Sequence, residues 1–264
     1  MEQLPRVENV NDLCHDVVGS GPALVLIHGT SSTPRGTWGS CVDILAKSFT
    51  VVLPYLPGSG ESPLPAAPIE AATVAEQIVR LVSRIGVRRF AVAGASLGAP
   101  IAMKVAAMYP DRVTHLVSVC GYAKARPSLR LREQVFEAVL AADSTTIGRL
   151  LLIFGLTEAT LTSLSDDALD TLATQLGSNL AAGTREQIVL AYTIDVEHEL
   201  TSIYAPALFI AGTEDNFVDQ AHSAEAAQRI PTAVLKLMAG GHGLTLERSE
   251  AITEAITSFI NDTS

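Results

Sequence analysis

The sequence predicts an α/β fold: a mostly parallel central sheet with helices on both faces. Three observations carry this expectation. Short apolar, β-rich runs alternate with helix-period patterns through most of the chain. The run Ala23-Leu24-Val25-Leu26-Ile27 is apolar without a break, as suits a strand covered on both faces. The alternation is interrupted once, between about 123 and 200, by helical patterns alone. With 264 residues, 48% of them hydrophobic, the chain holds enough apolar material for one large core.

In order, Leu13 to Val18 and Ala23 to Ile27 read as strands flanking the turn Gly19-Ser20-Gly21-Pro22. Thr50 to Leu53 is a third strand, and the Pro-, Gly- and Ser-dense stretch from Leu53 to Pro68 is loop. Ile69 to Ile85 places Val74, Ile78, Leu81, Val82 and Ile85 on one helical face. A strand at Phe90 to Ala93, a helix at Leu97 to Met108 and a strand at Val113 to Val119 follow. Helical stretches at Leu131 to Ala142, Ile147 to Phe154 and Asp166 to Leu176 then break the rhythm. Strands at Ala207 to Ala211 and Ala233 to Met238 and a helix at Glu247 to Ile260 complete the chain. Residues 1–122 and 201–264 are therefore expected to form the core. Residues 123–200 form a helical cap insertion, read as a lid over a pocket at the strand ends.

Charge narrows the partners. Lys and Arg total 18 against 28 Asp and Glu, a net charge of −10, which repels polyphosphate and anionic membrane surfaces. No nucleic acid and no membrane partner is expected. Met1-Glu2-Gln3-Leu4-Pro5 shows neither a basic n-region nor a following apolar stretch. The apolar runs Ala23 to Ile27 and Leu150 to Phe154 are far shorter than the ~20 residues a bilayer crossing needs. A soluble, cytoplasmic protein acting on a small molecule is the expectation, with a homodimer through the insertion or an edge strand left open. Cys14, Cys41 and Cys120 lie far apart without a CxxC pair and read as small buried hydrophobes.

The chemistry centres on Gly94-Ala95-Ser96-Leu97-Gly98, set between a strand and a helix. That context lets glycines pass close to a serine held on a sharp turn, as a nucleophile elbow requires. The plainer reading of Ser96 is a helix N-cap. A serine hydroxyl needs a base, and the base needs an orienting acid. Asp215, in Gly212-Thr213-Glu214-Asp215-Asn216, and His242, in Gly240-Gly241-His242-Gly243, each follow a strand. All three residues therefore fall at the carboxyl edge of the sheet. Glu214 is the adjacent alternative acid, with the spacing favouring Asp215. The backbone amides of Leu97 and Thr30, the latter in His28-Gly29-Thr30-Ser31-Ser32, are the expected oxyanion donors. His28 is read as supporting its loop. His15, His115, His198 and His222 have no comparable setting.

These motifs, with Leu56-Pro57-Gly58-Ser59-Gly60-Glu61-Ser62 and Tyr109-Pro110-Asp111-Arg112-Val113, resemble those of the α/β-hydrolase fold superfamily in its capped, esterase-like branch. The resemblance runs from near residue 24 to the C-terminus. It implies a serine hydrolase with the triad Ser96, Asp215 and His242, requiring no metal and no cofactor. Serine at 96 departs from haloalkane-dehalogenase-like relatives, which carry a carboxylate nucleophile. Another departure is Tyr55, where the family often carries an acidic residue that anchors the following loop.

The expected reaction is hydrolysis of a small or medium, largely apolar ester or thioester through an acyl-enzyme on Ser96. Trp38, Tyr122, Phe136, Phe154 and Phe217 would supply apolar pocket walls, although such residues more often fill cores. A polyanionic thioester is less favoured, with Arg126, Arg130 and Arg132 as the cluster to receive it. The same fold and triad also serve lyases, C–C hydrolases and biosynthetic tailoring enzymes. A non-catalytic ligand receptor is the alternative of another class.

Overall fold

The structure, a computed structural model, describes residues 12–263. The N-terminal Met1 to Pro5 segment, read above for targeting signals, lies outside the described residues. The strands are β1 (His15–Val18), β2 (Ala23–Ile27), β3 (Thr50–Pro54), β4 (Phe90–Ala95), β5 (Val113–Val119), β6 (Ala207–Gly212) and β7 (Ala233–Met238). They form one seven-stranded sheet in the order β1-β3-β2-β4-β5-β6-β7. Every neighbouring pair is parallel except β1 with β3. The first two strands are thus not paired with each other, because β3 returns between them.

The helices are α1 (Pro34–Trp38), α2 (Cys41–Leu45), α3 (Ala71–Arg84), α4 (Gly98–Met108), α5 (Pro127–Val139), α6 (Ser144–Gly155), α7 (Glu158–Thr162), α8 (Asp166–Ser178), α9 (Thr184–Thr193), α10 (Ala221–Gln228), α11 (Leu244–Glu247) and α12 (Ser249–Asp262). The period-2 alternation of strand side chains builds a core on each face of the sheet. Val25 and Ile27 join Ile78 of α3 and Ile101 of α4 on one face. Leu24 and Leu26 join Trp38, Leu45 and Ile256 on the other, beneath α1, α2 and α12.

Several boundaries differ from the sequence expectation for local reasons. Helix α5 starts at Pro127 rather than Leu131, because proline at the first helical position is preset for helical φ and loses no bond there. Helix α6 starts at Ser144 rather than Ile147, where the Asp143 side chain accepts from the Thr146 amide. Strand β4 runs on to Ala95 and delivers Ser96 directly at its end. The short α1, α2, α10 and α11 have no counterpart among the elements read from the sequence, whereas α7 and α9 fall within the stretch from 123 to 200 read as helical.

Helices α5 to α9 lie in the chain between β5 and β6. The two ends of this stretch are held together where the Val196 amide donates to Ala123 O (3.0 Å) and Lys124 pairs with Asp195 (2.6 Å). Within it, Phe136, Ile147 and Ile188 form a small apolar cluster apart from the two sheet cores. Leu190 and Ala191 of α9, with Ile194 just past its end, belong to the larger core.

Helices α6 and α8 touch backbone to backbone. A Cβ at Gly148 would lie 1.7 Å from Ala173 O, and one at Gly177 would lie 1.8 Å from Ser144 O. Gly148→Ala is expected to force the helices apart and cost about 2–3 kcal/mol. Urea denaturation followed by far-UV circular dichroism checks this, and an unchanged midpoint would refute the close contact.

Candidate active site

Ser96 sits at the tight junction of β4 and α4 with φ of 53°, one of three positive-φ non-glycine residues among those described. L-residues avoid this region because Cβ crowds the following carbonyl. The turn is possible because its flanks are bare. A Cβ on Gly94 would lie 2.0 Å from Gly98 O, and one on Gly98 would lie 2.4 Å from Ile27 O. The elbow points the hydroxyl outward from the sheet edge, where the loops after β6 and β7 converge.

There His242 Nε2 lies 2.9 Å from Ser96 Oγ, and His242 Nδ1 lies 2.8 Å from Asp215 Oδ2. Asp215 is buried, its side chain only 1% exposed, so its charge must be met locally. Its second oxygen accepts from the amides of Phe217 (2.9 Å) and Val218 (2.7 Å). The carboxylate is thereby locked in place and fixes the Nδ1–H tautomer of His242, leaving Nε2 free to accept the serine proton. The neighbouring Glu214 instead places its backbone amide on Gly240 O.

The Sγ of Cys120 shares this corner with Asp215 and His242, the three ligand atoms lying within 4.8 Å of one another. Such a group suggests a metal, yet these residues are otherwise committed. Both ring nitrogens of His242 and both oxygens of Asp215 already have partners. Burial, then the Asp215 charge, pushes the Cys120 thiol well up, so it is not a ready thiolate ligand.

The residues whose amides are the expected oxyanion donors adjoin Ser96: Leu97 follows it in the chain, and Thr30 lines the same cavity. The loop after β2 runs past Ser96, close enough that a Cβ on Gly29 would lie 3.2 Å from Ser96 Cβ. The Thr30 and Leu97 amides are bonded to no other group among the described residues. His28 supports this loop from beneath, donating from Nδ1 to Gly29 O (2.8 Å) and accepting at Nε2 from the Leu56 amide (2.9 Å). Full burial pulls its pKa down to about 4, so the ring is neutral at physiological pH. Tyr55 anchors the next loop without the family's acid. Its hydroxyl donates to Asp16 (2.9 Å), and its carbonyl accepts from Ser62 Oγ (2.7 Å).

The hydroxyl opens into a cavity of about 620 Å³ between the sheet edge and the inserted helices. Phe136, Phe154 and Phe217 are among the residues lining it. Phe154 and Phe217 rings lie 4.8 Å apart, and Phe217 meets His242 edge-on at 5.1 Å. Trp38 and Tyr122 do not line it, which corrects the sequence expectation. Trp38 is fully buried under the sheet, its indole donating to Ile27 O (3.2 Å). Tyr122 is buried with its hydroxyl on Ala191 O (3.0 Å). In each case the polar tip finds its partner inside the core, so nothing turns the ring toward the pocket. Leucines of the insertion, including Leu151, Leu152, Leu172 and Leu176, complete the wall instead. The arginines also part company: Arg132 is turned to Phe217 O, and Arg126 pairs with Glu225.

Two positioning residues escaped sequence reasoning, since neither has a local signal. Gln187 of α9 is 1% exposed; its oxygen accepts from the Ser31 amide (2.7 Å) and its nitrogen donates to Pro57 O and Ser59 Oγ (2.9 Å each). It holds the loop bearing Thr30, where Ser31 takes φ of 63°. Glu247 accepts from the Gly241 amide (2.7 Å) and from Thr160 Oγ1 (2.6 Å), linking the His242 loop to the insertion. Burial raises its pKa, but these donors outweigh burial and hold it below the ordinary carboxylate value. Gln187→Leu is expected to lower kcat for ester hydrolysis by roughly ten- to a hundredfold through misplacement of the Thr30 amide. Steady-state kinetics checks this, and unchanged kcat would show that the loop holds itself.

A family model described as alpha/beta hydrolase fold matches residues 22–249. The chain is 30% identical over 254 residues to a pimeloyl-[acyl-carrier protein] methyl ester esterase of Xanthomonas campestris pv. campestris, covering 93% of this chain and 97% of that one. It is 26% identical over 245 residues to pyrrolizixenacetamide deacetylase of Xenorhabdus hominickii, covering 92% of each. In three dimensions it resembles a hydrolase from Pseudomonas aeruginosa with a TM-score of 0.82 at 24% identity, covering 94% of each chain. With a parallel sheet that brings serine, histidine and aspartate to one edge, the chain belongs to the alpha/beta hydrolase fold family and is a hydrolase.

Proposed function

We propose that the protein cleaves a small or medium, largely apolar carboxylic ester or thioester through an acyl-enzyme on Ser96, with residues 123–200 serving as the cap that shapes the pocket. The observation that carries this reading is the hydrogen-bonded series Ser96, His242, Asp215 opening into an apolar cavity. His242 Nε2 takes the Ser96 proton as Oγ attacks the carbonyl carbon, and the Thr30 and Leu97 amides receive the oxyanion. As the tetrahedral adduct collapses, His242 returns the proton to the leaving oxygen or sulfur. The same nitrogen then deprotonates a water that attacks the acyl-enzyme, and the carboxylic acid leaves with Ser96 restored. All these groups lie on one chain, so the reaction needs no second copy.

Relatives named as an ester hydrolase and a deacetylase support acyl transfer to water over the lyase and receptor readings. The chain's net charge of −10 favours an uncharged substrate over a polyanionic carrier. Intact mass after exposure to a fluorophosphonate, together with p-nitrophenol release from short and medium acyl esters, tests the reading. One adduct and matching turnover are expected. Activity lost in His242→Ala but kept in Ser96→Ala would instead indicate a lyase.

A further inference from the structure

Among the residues that line the cavity one carries a carboxyl group. Glu133 lies on the inward face of α5, one turn from Leu129 and one from Phe136, all three buried. It is 1% exposed and lines the same cavity as Ser96. Its Oε2 is enclosed with no hydrogen-bond partner, and none of the hydrogen bonds or ion pairs in the described structure satisfies this carboxyl. The nearby Arg132 is committed to Phe217 O. Buried carboxyl groups without partners are costly and easily replaced by leucine, so one facing a ligand cavity points to a partner that arrives with the ligand.

We propose that Glu133 is a specificity-determining residue of the substrate pocket, hydrogen-bonding one neutral polar group, an amide or a hydroxyl, that the substrate carries away from its scissile carbonyl. This inference rests on the serine hydrolase reading and adds the substrate class to it: an otherwise apolar ester with one uncharged hydrogen-bonding group. Two considerations choose a neutral group over an ammonium. Glu133 is the one carboxyl among the residues lining the cavity, and its buried neighbours on the same helix face are Leu129 and Phe136, so an ammonium's remaining N–H donors would find no second acid there. Burial also raises the carboxyl's pKa to about 8, so it stands protonated at neutral pH, offering one donor and one acceptor, the complement of an amide.

The test compares p-nitrophenyl esters of straight-chain acids of increasing length, ending in a carboxamide, an isosteric isopropyl group or an ammonium. Wild type is expected to favour the carboxamide over the isopropyl ester by about tenfold or more in kcat/KM at one chain length. Glu133→Leu should reverse that preference, and Glu133→Gln, which keeps a donor and an acceptor, should retain most of it. Equal or better turnover of isopropyl esters at every length, or an unchanged ratio in Glu133→Leu, would overturn the proposal. So would preference for the ammonium ester. Binding of the intact esters to Ser96→Ala, with and without Glu133→Leu, by calorimetry separates this idea from its premise. The same amide preference in Kd there, alongside no turnover of any ester by wild type, would support the pocket role while refuting the serine hydrolase reading.

Discussion

Ser96→Ala is expected to lower ester turnover by about 10⁴-fold or more and to abolish the fluorophosphonate adduct, while the protein unfolds at or above the wild-type temperature. On the proposed mechanism the rate falls because, among the described residues, the hydroxyl facing His242 Nε2 is the nucleophile that attacks the carbonyl. Stability is expected to hold, because alanine keeps Cβ and the same backbone, and what is lost is one hydroxyl at the edge of a cavity rather than packing in a core. A sharper form of the same result is Ser96→Gly. Removing Cβ relieves the left-handed conformation, so glycine should melt above alanine at this position by the equivalent of about 1 kcal/mol. Turnover near wild type in either variant would remove Ser96 from the mechanism. Alanine melting above glycine would remove the strain argument.

The second large effect concerns pH, through two buried groups of opposite sign. His28 has its pKa lowered from 6.5 to about 4 by burial. Its unfolded form therefore binds more protons between those values, and its contribution is complete above pH 6.5 and lost on acidification through that window, by about 3 kcal/mol. Glu133 has its pKa raised from 4.5 to about 8 by burial. The folded form binds more protons there, so its contribution is present below 4.5 and lost as pH rises toward 8. The two slopes cancel between about pH 4.5 and 6.5, and from 6.5 to 8 Glu133 alone removes about 2 kcal/mol. Glu133→Gln should abolish the alkaline decline and expose the acid one from His28, to which the lowered pKa values of His115 and His222 add in the same direction. Urea titrations at about pH 5, 6.5 and 8 read both limbs. An alkaline decline that persists in Glu133→Gln would rule out that residue as its source.

The scaffold was legible in the sequence wherever a local signal sufficed. Unbroken apolar strands, the glycines around Ser96 and the strand-end positions of Asp215 and His242 all report on their own neighbourhoods. Their convergence follows from a parallel sheet, which sends every strand's carboxyl end to one edge. The pocket walls were less legible. Phe136 and Tyr122 are both inward aromatics on the sequence, and only a distant backbone carbonyl, Ala191 O, makes the tyrosine a core residue. Gln187 and Glu247 act across 156 and 87 residues of chain, respectively, separations that no periodicity encodes. Glu133 is readable in principle, as an acid between Leu129 and Phe136 on an apolar face, but charged residues on helices are usually solvated, so the pattern alone does not single it out.

The contact of α6 with α8 carries a consequence for how such a protein changes over time. Both helices begin with their own side-chain caps, Asp143 and Ser165, and meet through Gly148 and Gly177 rather than through the sheet. They supply leucines to the cavity but none of the groups bonded to Ser96, His242 or Asp215. The leucines of the pair can therefore drift in size, and with them the range of acceptable acyl chains, provided the two glycines stay and Gly155 O at the end of α6 keeps its bond from the Gly243 amide beside His242 (2.6 Å). Selection on diet and selection on chemistry then act on separate stretches of the same gene.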